Sequence, residues 1–222
     1  MNHYSLCKLA LPVFLAAMLG ILPATAQEAL RGDPEKGKEL AETVCHICHN
    51  VDGNSPKDTK DHPNLNGAIS PLIAGQMQEY VVKQLRQFKS RERVDSFMNI
   101  YATVLATEAD ERNVAAWYEK QTMKPAAATD ESLIARGQGL WRGGDLKKGI
   151  PACSGCHGAS GKGVPSQYPA LAGQYPEYLA LQLNKFRTGE RANDPENMMR
   201  DIAEKLTDHD IKAVAEYAAG LR

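Results

Sequence analysis

Two pentapeptides, Cys45-His46-Ile47-Cys48-His49 and Cys153-Ser154-Gly155-Cys156-His157, constrain this chain more than any other feature. In each, the cysteines stand three apart, so one helical turn presents both thiols on the same side, and a histidine follows directly. Four of the five cysteines are used in this way, and only Cys7 stands apart. Any fold for this sequence must place two such clusters.

The clusters sit inside a duplication. The window from Pro71-Leu72-Ile73-Ala74-Gly75-Gln76 to Glu92-Arg93 matches the window from Pro169-Ala170-Leu171-Ala172-Gly173-Gln174 to Glu190-Arg191 at 11 of 23 positions without a gap. Internal repetition on this scale reads as one structural unit used twice. Each unit opens with a helical stretch (35–44; 131–140), passes through the cysteine pair into a Gly/Pro-rich loop, and continues into an amphipathic segment. In that segment Tyr80, Gln84 and Phe88, or Tyr178, Gln182 and Phe186, recur every four residues on one helical face. A last helix starts at Thr107 with Asp110, or at Thr207 with Asp210, a weak capping box. No segment alternates convincingly as a strand. The expectation is an all-α protein of two tandem, similar small domains, 27–122 and 131–222, joined by a short linker, 123–130, in which Pro125 ends the preceding helix.

Residues 1–26 read differently. Lys8 leads into the apolar run from Leu9 to Leu22 and then Ala24-Thr25-Ala26, the pattern of a secretory signal cleaved after Ala26. An uncleaved anchor fits less well, because the run of 14 residues falls short of the roughly 20 needed to span a bilayer and Pro12 interrupts it. Removal of the signal takes Cys7 with it, leaving an exported chain with two cysteine pairs. The 26 Lys and Arg against 27 Asp and Glu give no basic excess to neutralise phosphates, so no nucleic-acid partner is expected.

Cys-x-x-Cys-His is the attachment signature of c-type haem. Both thiols on one turn bond to the two vinyl groups of one porphyrin, and the histidine faces the iron. A thioredoxin-like redox pair, a zinc half-site and a structural disulfide use similar spacings. However, a four-cysteine zinc site leaves both histidines without a role, and a redox pair would normally precede a βαβ unit that is missing here. Two covalent haems, bound through Cys45, Cys48, Cys153 and Cys156 with axial His49 and His157, are therefore expected. The apo chain, a pair of small domains with 6% aromatic residues, is expected to fold poorly.

The second axial ligand separates carriers from enzymes, because an open position admits ligands whereas two protein ligands favour electron transfer. Met98 lies seven residues before Leu105 and Met199 seven before Leu206, each just ahead of the last helix, and this matched placement selects one methionine per unit. An ungapped offset of 100 instead pairs Met98 with Met198. Met77 and Met123 read as packing or surface residues, and His46, His62 and His209 as solvent-side residues.

These features together resemble the two-haem cytochromes of the c4 type, over essentially the whole mature chain. The second unit is especially close, through Gly149-Ile150-Pro151-Ala152-Cys153 to Gly158 and through Asn193-Asp194-Pro195 leading to Met198-Met199. The resemblance implies a periplasmic one-electron carrier of a respiratory chain, soluble or loosely held at the inner membrane. It would take electrons from a membrane-bound donor complex and pass them towards terminal oxidases. It further implies that the carbonyls of Pro71 and Pro169 accept from the axial histidine rings. In the first unit, ten extra residues precede Pro71 and include a rival proline in Pro63-Asn64-Leu65-Asn66-Gly67.

Charge divides unevenly between the units. Residues 27–122 hold 12 Lys and Arg against 15 Asp and Glu, net −3, and residues 123–222 hold 13 against 12, net +1. Such a dipole would orient the molecule between two partners. A two-haem peroxidase is the rival reading, but it would break the symmetry of the late methionines and add catalytic side chains around an open haem. Neither feature is visible, and no enzyme activity is expected.

Overall fold

The computed structural model describes residues 31–56, 69–165 and 167–222, so the signal-like segment, His62 and the rival Pro63 lie outside the described residues. Every regular element among the described residues is helical, and the extended pairings are isolated bridges. The first unit comprises α1 (Pro34–Leu40), a π-helical turn over Ala41–Cys45, α2 (His46–His49), α3 (Gln78–Lys89), α4 (Met98–Val104) and α5 (Glu108–Glu119). The second comprises α6 (Ile134–Gly143), α7 (Ser154–His157), α8 (Pro176–Thr188), α9 (Met198–Ala203) and α10 (Asp208–Gly220).

In each unit the first helix crosses the last at a glycine. A Cβ on Gly37 would lie 2.0 Å from the Asn113 carbonyl oxygen, and one on Gly137 would lie 2.1 Å from that of Ala213. Only glycine lets these backbones approach so closely. The last helices start as their sequence requires: Thr107 and Thr207 each accept from the backbone N–H three residues on, and Asp110 and Asp210 return the bond to the Thr backbone. Below them lie two apolar cores, one around Leu85, Phe88, Leu105, Val114 and Tyr118, the other around Leu140, Trp141, Ile150, Ile211 and Val214.

The segment between the units is fastened at several points. Lys124 N–H donates to Asn54 Oδ1 (2.6 Å), Ala126 N–H to the Gly173 carbonyl (2.8 Å), and Thr129 N–H and Oγ1 to the Glu216 carboxylate (2.6 and 2.8 Å). The units are thereby held against each other. Met77 faces Gly163 of the opposite unit and Met123 faces Gly173, so both pack, while His46 and His209 are exposed. No helix among the described residues is long and apolar enough to cross a membrane.

Asp210 carries a second duty besides capping. Its carboxylate also receives Arg136 Nε at 2.7 Å and Lys148 Nζ at 2.9 Å, and its side chain is 3% exposed. Burial acts to raise its pKa, but the bonds from Arg136, Lys148 and Thr207 outweigh that and hold it below the ordinary carboxylate range. A depressed folded-state pKa adds stability above the unfolded value, and that stability is lost as acid protonates the group. Asp210→Asn should therefore cost about 1–3 kcal/mol at neutral pH in denaturant titrations of the holoprotein, and the difference from the parent should shrink as the pH falls below about 4. Gly137→Ala should cost a similar 1–3 kcal/mol at all pH values, because its clash is steric.

Candidate functional site

The local sequence explains how each cysteine cluster is presented. The first helix of a unit leads its chain towards the motif, and the motif itself forms the single turn α2 or α7, with both cysteines on one side and the histidine at the end. The chain then turns back at Gly53 or Gly161, both at positive φ (73° and 71°), where the glycine carbonyl receives N–H groups of Ile73 and Ala74, or of Leu171 and Ala172. This return places Pro71 and Pro169 beside the histidines. His49 Nδ1 lies 3.0 Å from the Pro71 carbonyl oxygen, and His157 Nδ1 lies 3.0 Å from that of Pro169. In the first unit the contact is made by Pro71.

Burial pushes the pKa of both histidines down, while the proline carbonyls act to raise it. The rings are thus neutral at pH 7, with the proton on Nδ1 donated to the proline and the Nε2 lone pair free. Burial likewise pushes the Cys45 and Cys153 thiols up to about 11, opposite to the depressed values of redox-active pairs. Among the described residues no cysteines are disulfide-bonded, and no three His, Cys, Asp or Glu side chains converge as a metal site.

Both clusters open into one cavity of about 1220 Å³ that continues across the boundary between the units. Cys45, Cys48, His49, Pro71 and Met98 line it from the first unit. From the second come Cys153, Cys156, His157, Pro169, Met198 and Met199. The methionines sit at the starts of α4 and α9, which are held by aspartates: Asp95 accepts from Met98 N–H at 3.1 Å and Asp194 from Met199 N–H at 2.9 Å. Ala102 and Ala203, each four residues further on, are both fully buried, which puts Met98 and Met199 at the same helical position. Met198 is exposed.

The sequence reading did not single out the residues that close the cavity between the units. Arg93 and Arg191 pair as an isolated antiparallel bridge, each 8% exposed, with their guanidiniums over the rings of Phe88 and Phe186 at 4.5 and 4.4 Å. Arg93 donates to Gln84, Tyr178 and Gln182, and Arg191 to Gln182, Tyr80 and Gln84, at 2.6–3.2 Å. Burial pulls the Arg191 guanidinium below its ordinary value. Among the described residues neither arginine has a carboxylate within ion-pair distance, although both line the cavity. Their signal in the sequence was the identity of polar positions between the repeats, which reads equally well as a solvated face.

These donors fit a covalently held haem. Each lobe offers two thiols on one turn, a neutral imidazole with its outer nitrogen fixed, and a polarizable thioether sulfur. The buried arginines Arg93 and Arg191 add positive charge to the cavity wall. The sequence model of the cytochrome c family matches twice, over residues 34–122 and 134–221. A cytochrome c4 of Thiocapsa roseopersicina is 41% identical over 192 residues, 86% of this chain and 93% of the relative. A thiosulfate dehydrogenase electron acceptor of Stutzerimonas stutzeri is 35% identical over 209 residues, 93% and 92% of the two chains. The crystal structure of reduced cytochrome c4 from Pseudomonas stutzeri superposes with a TM-score of 0.73 at 35% identity, covering 86% of this chain and all of that one.

A core that lines such a cavity depends on its filling. Replacing all four cysteines with alanine should leave a chain with no cooperative thermal transition in near-ultraviolet circular dichroism, whereas the matured protein should unfold sharply.

Proposed function

The chain belongs to the cytochrome c family, in its two-haem c4 group, with two covalently bound haem c groups, and on that footing we propose that it is a periplasmic one-electron carrier rather than an enzyme. Each haem c, when bound, supplies an iron centre that cycles between two oxidation states. The chain's own residues determine how that centre behaves. Cys45 and Cys48, and Cys153 and Cys156, would hold the two groups through thioether bonds. His49 and His157 would ligate iron through Nε2, with Pro71 and Pro169 holding the ring by its other nitrogen. Met98 and Met199 would supply each iron with a second protein ligand, a neutral sulfur that would favour the ferrous form and raise the potential.

The observation that carries this reading is the pairing, in both lobes, of a proline-braced histidine with a methionine at one matched helix start. With a histidine and a methionine bound to each iron, the centres would be closed to peroxide chemistry. Export rests on residues 1–26, and mature domains of 27–122 and 131–222 follow from cleavage after Ala26. On the donor side, a membrane-bound complex is what the c4 resemblance implies. The relative named as a thiosulfate dehydrogenase electron acceptor makes such a dehydrogenase the second candidate. On the acceptor side a terminal oxidase is the candidate. Mixing the oxidised protein with each donor in stopped flow would separate them by rate.

Spectra of the purified protein should give two haems per chain, both low-spin, with no carbon monoxide adduct in the reduced state. Met98→Leu and Met199→Leu should each turn half of the haem high-spin and open it to carbon monoxide. Met198→Leu should leave both haems low-spin; a high-spin fraction there would move the assignment to Met198.

A further inference from the structure

The peptide group between Pro71 and Leu72 is hydrogen-bonded at both ends, and the two partners come from different units. Its carbonyl accepts from His49 Nδ1 at 3.0 Å, and its N–H donates to Gln174 Oε1 of the second unit at 2.9 Å. The mirror arrangement is also present: the peptide between Pro169 and Ala170 accepts from His157 Nδ1 at 3.0 Å and donates to Gln76 Oε1 of the first unit at 3.0 Å. Each glutamine completes a two-point clasp by donating Nε2 to the next carbonyl, Gln174 to Leu72 at 2.7 Å and Gln76 to Ala170 at 3.0 Å. Each Oε1 also accepts the following backbone N–H, at 3.1 Å in both cases. With two N–H groups directed at the oxygen and a carbonyl facing the nitrogen, the orientation of each side-chain amide is fixed.

We propose that Gln174 and Gln76 are positioning residues acting in trans, each tuning the iron of the opposite unit through the peptide group that braces its histidine. The proposal rests on the assignment of His49 and His157 as axial ligands. A peptide whose N–H is donated to a good acceptor carries more negative charge on its carbonyl oxygen, so bonds along the chain strengthen one another. The Pro71 carbonyl then draws harder on the Nδ1 proton of His49, the ring becomes a stronger electron donor through Nε2, and the ferric state gains. Gln174 therefore lowers the potential of the first unit's haem, and Gln76 that of the second. The two relays are unequal. Leu72 is 2% exposed whereas Ala170 is only half-buried, and a drier relay polarises more strongly.

The test uses the holoprotein with Gln174→Met and Gln76→Met, which keep side-chain length and remove the amide. Gln174→Met should move the His49 Nδ1–H proton resonance of the reduced protein upfield and leave that of His157 in place. It should also raise the reduced-to-oxidised ratio of that haem roughly twofold at fixed potential. Gln76→Met should do the reverse, with a smaller shift. Tyr175→Phe removes a different bond across the boundary, to the Ser55 carbonyl at 2.6 Å, and should move neither resonance. A change confined to the variant's own unit, equal changes in both, no change, or the same response from Tyr175→Phe would overturn the proposal. Should the methionine variants not fold, the unmodified reduced protein decides. Scalar couplings must be seen both from His49 Nδ1 to the Pro71 carbonyl carbon and from Leu72 N to the Gln174 amide carbon, and absence of either overturns the relay. Failure of the axial assignment itself would appear separately, as high-spin iron in the unmodified protein.

Discussion

Everything in this molecule is arranged around a cavity of about 1220 Å³ that side chains line without filling. Interiors are normally close-packed, so side chains around an unfilled space of this size forgo much of the packing that stabilises a domain. The covalent haems are thus part of the core in the same sense as Leu85 or Leu140. The short helices follow from this. A segment such as α2 or α7, four residues long, has no stability of its own and is held by attachment, by its neighbours and by the proline loop.

The duplicated residues turn out to serve the boundary between the units as much as the cores. Gln76 and Gln174, Tyr80 and Tyr178, Gln84 and Gln182, and Arg93 and Arg191 reach across a pseudo-twofold axis to the other copy's backbone or to its mirror-image residues. One residue type at one repeat position satisfies both sides of such a contact at once, as in isologous dimers. The buried arginines are tolerable because hydrogen bonds and aromatic faces surround them.

Where the copies differ, they reach the same contact from different places. Trp117 on α5 donates to the Val51 carbonyl (2.7 Å), and Trp141 on α6 to the Ala159 carbonyl (3.1 Å). Both carbonyls lie two residues past a motif histidine. At the helix crossing Ala41 in one unit stands where Trp141 stands in the other, and Trp117 where Tyr217 stands, so the indole donor comes from the last helix in the first unit and from the first helix in the second. Across the boundary, Met77 against Gly163 and Tyr175 against the Ser55 carbonyl join the same pair of repeat positions with different side chains.

The sequence by itself determined the helical class, the two units, the covalent attachment points and the capping boxes at Thr107 and Thr207, because each of these depends on residues close along the chain. Repeat register also placed the matched methionines among the candidates, and the c4 resemblance placed Pro71 there. The sequence left Pro63 against Pro71 open, and it chose Met199 over Met198 on one spacing alone. It read Tyr80 and Gln84 as one face of a helix without saying what that face meets. Those points belong to tertiary structure. Which carbonyl reaches a histidine ring depends on how the chain returns at Gly53, and which polar face is buried depends on how two copies dock, a matter of separations near 100 residues that no local pattern encodes.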